Sequence, residues 1–311
     1  MRKLKRGTKS GISEAQKVVI IGGVIIVLLG AVAYLALAPL FSIPFGPGII
    51  GGPEQTSATT HTFTISGNEA EVDMSAFNGR IVLRPSSTNE LVITVTKRGT
   101  GSGIDNIDVS FGEMIDPNGI ERFSVTAMRI NPMLRGLNER VQIEAMIPRE
   151  VSYKLLDLSN SNGPIEVNEI HGTEIIAKTS NGPIVLNGIN FERLDVATSN
   201  GRVSGKISST FAEIRTSNGR ISITIGGAGH YDLATTNARV EVVMGSNIPA
   251  RVEATTSNGG VQWTGIPINI LQAGQSILRA ETESFGNANV TIDLEIRTSN
   301  SGIQITSVAD L

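Results

Sequence analysis

No cysteine occurs in the 311 residues, so disulfides are excluded and an exported domain must hold together by its core. Histidine is almost as scarce. His61, His171 and His230 stand far apart, with no second histidine within a turn or strand, so zinc-type spacing is missing. The chain has no phosphate-cradling glycine loop, nucleophile elbow or metalloprotease helix. No catalytic residue, metal or cofactor is therefore assigned. Charge is absent from one long stretch, residues 18–41, built mainly of Val, Ile, Leu, Gly and Ala.

A run of that length can cross a bilayer as a helix, which takes about 20 apolar residues. Residues 1–17 carry six basic side chains against Glu14 and so hold +5, leaving −8 on the remainder of a chain whose net charge is −3. The basic flank is expected to stay cytoplasmic, which makes this a single-pass cell-membrane protein with an extracytoplasmic C-terminal domain. Two other readings stay open. A signal peptide would be cut at Ala36-Leu37-Ala38, directly before Pro39. A pilin-like leader would be cut after Gly11 and leave the helix in place. All three export the folded part. Residues 42–60, with Pro44, Pro47 and Pro53 among four glycines, read as a juxtamembrane linker.

What is abundant is one motif, Thr179-Ser180-Asn181-Gly182-Pro183-Ile184, with close copies to the C-terminus. Its asparagines are Asn162, Asn181, Asn200, Asn218, Asn237, Asn258 and Asn300, spaced by 19, 19, 18, 19, 21 and 42, the last being twice 21. A fixed period of this length indicates a repeat architecture. Six and four residues before each asparagine the side chains are almost all apolar, as in Leu156, Ile175 and Leu194, then Leu158, Ala177 and Val196. Three and five after it they are apolar again, as in Ile165, Ile184 and Val203, then Val167 and Leu186; Trp263 falls in this last column and is expected in the core. Each unit is thus strand, corner, strand, with one apolar face.

Asn-Gly between alternating strands also signals a hairpin. Pro164 and Pro183 argue against it, because the residue after Gly would have to donate an N–H across the hairpin. The expected fold is all-β: a parallel β-solenoid, a single-stranded right-handed β-helix over residues 61–311, with coils about 4.8 Å apart. Asn and Gly are expected at the corners for their tolerance of positive φ. Threonine and asparagine are each expected to hydrogen-bond their copies in the next coil. Residues 61–150 supply the first coils and a cap, with Phe77-Asn78-Gly79 a degenerate corner. Between Asn258 and Asn300 one corner is missing, and residues 266–289 are expected to form a coil with an extended loop.

Val151-Ser152-Tyr153-Lys154-Leu155-Leu156-Asp157-Leu158 leading into Ser161-Asn162-Gly163, followed by repeated Thr-Ser-Asn-Gly corners, resembles the adhesin-like family with β-strand repeats, a large family of unknown function. The resemblance implies surface-displayed β-solenoids and brings no catalytic motif.

Two outward columns invite a ligand. Asp157, Asp195, Glu213, Asp232, Glu253 and Glu295 lie five residues before their corners, where they form either a cation stripe or, with Lys178, Arg215 and Arg297 beside them, a salt-bridged face. Arg202, Arg220 and Arg239 align on three consecutive coils and form either a polyanion-binding row or a solvated face. Asn289-Val290-Thr291 is the one glycosylation sequon. The domain being acidic, nucleic acid is not expected as a partner. The leading expectation is a non-catalytic binding, adhesion or structural module of the cell envelope, with a surface glycan or an envelope protein as partner. A polysaccharide-acting β-helix enzyme and an envelope-stress sensor are the alternatives.

Overall fold

The computed structural model describes residues 52–134 and 138–309; the basic tail, the apolar run and the leader readings lie outside them. Among the described residues no helix is long and apolar enough to cross a membrane. The chain runs through β1 (Glu54–Thr64), β2 (Glu69–Ala76), β3 (Arg80–Ser86), β4 (Glu90–Thr100), β5 (Ile107–Ile115), β6 (Glu121–Arg129) and β7 (Arg140–Pro148). The regular coils follow as β8 (Ser152–Asn160), β9 (Ile165–Asn168), β10 (His171–Thr179), β11 (Ile184–Thr198), β12 (Val203–Thr216), β13 (Ile221–Ile225), β14 (Gly229–Thr235) and β15 (Val240–Gly245). Then come β16 (Ala250–Thr256), β17 (Val261–Thr264), β18 (Asn269–Gly274), β19 (Ile277–Glu281), β20 (Ile292–Thr298) and β21 (Ile303–Val308).

These strands form two walls of an open sheet that meet along the Asn-Gly corners. The first wall stacks β5, β6, β2, β8, β10, the second half of β11, the second half of β12, β14, β20, β16, β19 and β18. The second stacks β1, β4, β7, β3, β9, the first halves of β11 and β12, β13, β15, β21 and β17. All pairs are parallel except at the ends, where β1, β4 and β5 close one end and β18 and β19 the other with antiparallel pairs.

The inward columns do what their alternation dictates. Leu156, Ile175, Leu194, Tyr231 and Leu294 are fully buried on the first wall, and Ile165, Ile184, Val203, Ile221 and Val240 on the second. They join one continuous apolar core with the residues of the terminal coils, and Trp263 packs against it half-buried, donating Nε1–H to Ile266 O at 3.0 Å. A single coil has too little apolar area to fold; stacking supplies the missing partner surface.

Several expectations are corrected. Positive φ does not explain the corners: Asn78 (52°) is the one corner asparagine with it, and the corner glycines have none. Backbone bonds at the corner run from coil to coil, for example Asn200 N to Ser180 O (3.0 Å) and Val203 N to Arg220 O (2.9 Å), so no tight left-handed turn is required. Glycine is required by crowding instead. A Cβ on Gly182 or Gly201 would overlap the carbonyl of the glycine one coil before.

The threonines do not bond their copies. Thr198 Oγ1 donates to Gly182 O (3.2 Å) in the preceding coil and accepts from Gly201 N–H (3.1 Å) in its own, which ties each corner to its neighbour. The region expected to be linker up to residue 60 already contains β1 from Glu54. Almost every β1 side chain is exposed, so no apolar alternation marked it.

The stretch 266–289 is not a coil. β18 and β19 form an antiparallel hairpin that covers the end strand β16. The coil of β20 and β21 slots between that of β14 and β15 and that of β16 and β17. The other end repeats the device: the coil of β2 and β3 lies between that of β6 and β7 and that of β8 and β9.

Candidate binding faces

Along the corner edge the asparagine side chains form one chain of amide bonds. Nδ2 of Asn162 donates to Asn78 Oδ1, and the series continues through Asn181, Asn200, Asn218 and Asn237, each reaching back one coil at 2.5–2.7 Å. It then passes to Asn300 (2.6 Å) and only afterwards to Asn258 (2.8 Å), following coil order and not chain order. Beside it an open groove of about 550 Å³ is lined by Ser161, Ser180, Ser199, Ser217 and Thr236. The asparagines therefore act as a positioning ladder that fixes the register of every outward column.

On the first wall the outward acids meet bases in register. Lys178 reaches Asp195 at 2.7 Å, and Arg215 pairs with Glu213 in its own coil and with Asp232 in the next at 3.3 Å. Arg297 grips Asp232 with two bonds of 2.7 Å and also touches Glu295, while Arg279 of the end hairpin holds Glu253 at 2.7 Å. The neighbouring column is interleaved too: Glu174 pairs with Arg193 (3.4 Å), Arg193 lies over Phe211, Phe211 stacks on His230, and His230 meets Asp293 (3.3 Å). This face is neutralised by its own side chains, and the cation-stripe reading loses its free carboxylates here.

At the N-terminal end of the same column the compensation stops. Asp73 of β2 stands in register with Asp157 of β8 in a cleft of about 350 Å³, bordered by Glu71, Arg122, Met114 and Phe123. Arg122 is committed to Glu71 at 2.9 Å. Crowding by the cleft, and secondly the Asp157 charge, raise the Asp73 carboxyl above its ordinary range although its tip keeps solvent access. Burial also raises Asp157, opposed by Lys178 and reinforced by Asp195. Asp73 could have been found from the sequence, since it precedes the degenerate corner at Asn78 by five residues.

The second wall is different. Arg202, Arg220 and Arg239 form one exposed column, and their carbonyls accept in turn from Ile184, Val203 and Ile221. Glu241 lies 3.7 Å from both Arg220 and Arg239, but among the described residues no acid pairs with Arg202. Lys206 adds an exposed charge on β12, with Ser204 and Ser222 between the rows. Arg80, which opens the same column two residues after Asn78, is taken up by Glu144 at 2.7 Å.

The histidines are dispersed. His61 lies against Phe63 and Phe111, His171 is exposed at a shallow depression, and His230 belongs to the stack above. Among the described residues no group of three or more His, Asp or Glu is placed to hold a metal ion.

An open stack of parallel coils with permuted, hairpin-capped ends defines the class: a β-repeat solenoid. Residues 53–284 match the Toastrack DUF4097 family, and the chain belongs to that family, a domain of unknown function. The coil of β20 and β21 lies beyond the matched residues. Among solved structures, a "putative cell adhesion protein" of Clostridium sporogenes is similar at 12% identity, over 82% of this chain and 100% of its own, with a TM-score of 0.43. A "putative adhesin" of Bacteroides fragilis is similar at 9% identity, over 81% of this chain and 97% of its own, with a TM-score of 0.36. No curated protein matches the chain.

Proposed function

We propose that this chain is a membrane-anchored, extracytoplasmic β-solenoid that serves the cell envelope as a non-catalytic binding or structural module. The observation behind this reading is the register of the outward columns. One amide ladder holds identical positions of eight successive coils at constant spacing, which makes two long, rigid faces suited to a repetitive partner. The charge-free run at residues 18–41 after a +5 tail supports the anchor and a cytoplasmic N-terminus. A surface glycan or an envelope protein is the partner class that such a location offers. The full-length protein, purified and labelled, is expected to bind isolated envelopes saturably. Failure to bind any envelope fraction would refute the reading.

The Asp73–Asp157 cleft favours a second reading, in which the domain acts on a polysaccharide, since two neighbouring carboxyls in one cleft are what glycoside hydrolysis employs, one holding its proton as the acid and the other ionised as base or nucleophile. Release of reducing ends from envelope polysaccharide, abolished in Asp73→Asn, would establish it.

A further inference from the structure

The arginine column of the second wall does not end where the arginines do. Its next two members, in coil order, are Gly302 and Gly260, because Val240 N–H bonds to Gly302 O (3.3 Å) and Ile303 N–H to Gly260 O (2.9 Å). Two missing side chains leave a hollow of about 260 Å³, walled by Arg239 on one side and by Gln304 and Gln262 on the other. The glutamines belong to the adjacent outward column, which continues from Glu241 through register with β21 and β17. Gly302 is not in a left-handed conformation, and a Cβ on it would come 3.2 Å from Gly260 O, far less crowded than at the corner glycines; a Cβ on Gly260 would meet nothing nearer than Gln275 O at 3.9 Å. At Gly260, at least, coil stacking leaves room for a side chain that the sequence does not supply.

The chemistry of the lining is specific. Arg239 offers a planar fork for a carboxylate or sulfate, and two primary amides offer both donors and acceptors for hydroxyls. Behind the hollow, Arg220, Arg202 and Lys206 continue the positive charge along the stack, with Ser204 and Ser222 as further hydroxyl partners and Glu241 opposing Arg220 and Arg239. The coil spacing, about 4.8 Å, is comparable to the length of one sugar residue. The immediate lining of the hollow presents no aromatic ring for a base to stack on, which separates an acidic sugar from a nucleic acid.

The geometry points to a binding site for a linear acidic glycan, with one anionic sugar seated in the hollow between Arg239, Gln262 and Gln304 and the chain running over Arg220 and Arg202. This deepens the envelope-module reading and rests on it.

The test uses the full-length protein in detergent and fluorescently labelled hexagalacturonate as a uronate probe, read by anisotropy at 20 and 200 mM NaCl, with dextran sulfate, polyphosphate and a neutral dextran as competitors. Binding is expected at low salt, weakened at least tenfold at high salt, and competed by dextran sulfate but not by neutral dextran. Arg202→Ala with Arg220→Ala should weaken it more than tenfold. Gly260→Leu, which fills the hollow, should weaken it at least fivefold with an unchanged melting temperature, and Gln262→Ala should lower affinity in the same direction. If Gly260→Leu and Gln262→Ala both leave affinity unchanged, or polyphosphate competes as well as dextran sulfate, the glycan site is wrong and only general charge attraction is at work. Saturable envelope binding without any hexagalacturonate binding would overturn the glycan site alone. Loss of both would overturn the envelope-module reading with it.

Discussion

The two outer faces share one backbone, one spacing and one ladder, yet their charges are handled in opposite ways. On the first wall Asp232 is held by Arg297 and Arg215 from neighbouring coils, and Asp195 and Glu253 find Lys178 and Arg279. On the second wall Arg202, Arg220, Arg239 and Lys206 face outward against Glu241. Stacking repeats every position about 4.8 Å away, so a like-charged column repels itself unless acid and base alternate or an external partner supplies the missing sign. The first wall took the internal solution. The second wall is left basic in a domain that is acidic as a whole, and that contrast separates a self-contained surface from one that can take a partner.

The comparison can be broken most severely at the frame both faces share. Gly201→Ala forces a Cβ into the Gly182 carbonyl and should cost about 3 kcal/mol, read as a lower urea midpoint, because coils cannot separate without losing their backbone bonds. Both faces should lose their register together. Truncating one arginine on each wall sharpens the contrast. Arg297→Ala removes the guanidinium nitrogen that donates to both carboxylate oxygens of the nearly buried Asp232 and should cost about 1.5 kcal/mol. Arg202→Ala, which breaks no ion pair among the described residues, should stay within about 0.5 kcal/mol in the same denaturation experiment.

The smallest effect concerns the uncompensated end of the acidic column. Asp73 has a folded-state pKa raised first by desolvation and then by Asp157, so its ionised form opposes folding. Its penalty is complete above the raised folded-state pKa and fades as pH falls through that value towards the ordinary aspartate range. Asp73→Asn should therefore raise the melting temperature at pH 7 by a degree or two, about the shift expected of a few tenths of a kcal/mol. The gain should vanish near pH 3, where the wild-type carboxyl is already neutral. Melting curves across this range test the sign.

Much of the architecture was readable because a repeat states its own rule many times over. The alternation around each asparagine placed Leu156, Ile184 and Val240 in the core, and the prolines after Gly163 and Gly182 favoured coil-to-coil pairing over a hairpin. Close approach was not readable: Gly182 carries the same letter whether it is required for positive φ or for want of space, and the second reason depends on a neighbour 19 residues away. The arginine row could be aligned from its spacing, but Gly302 and Gln304 are more than 60 residues from Arg239 in the chain, and nothing in their spacing puts them beside it.

By itself, then, the sequence determined the coil: its length, its inward columns, its corner and the composition of its outward faces, because each depends on contacts within one repeat and on periodicity. The tertiary structure decided the order of the coils. Every coil exposes the same two backbone edges, so the ladder from Asn237 could be continued equally well by Asn258 or by Asn300, and the entropy of closing a longer loop rises too slowly with length to forbid the farther one. Only the packing of the β18–β19 hairpin over β16, with β20 and β21 slotted beneath, resolved that degeneracy, and with it the hollow at the end of the arginine row.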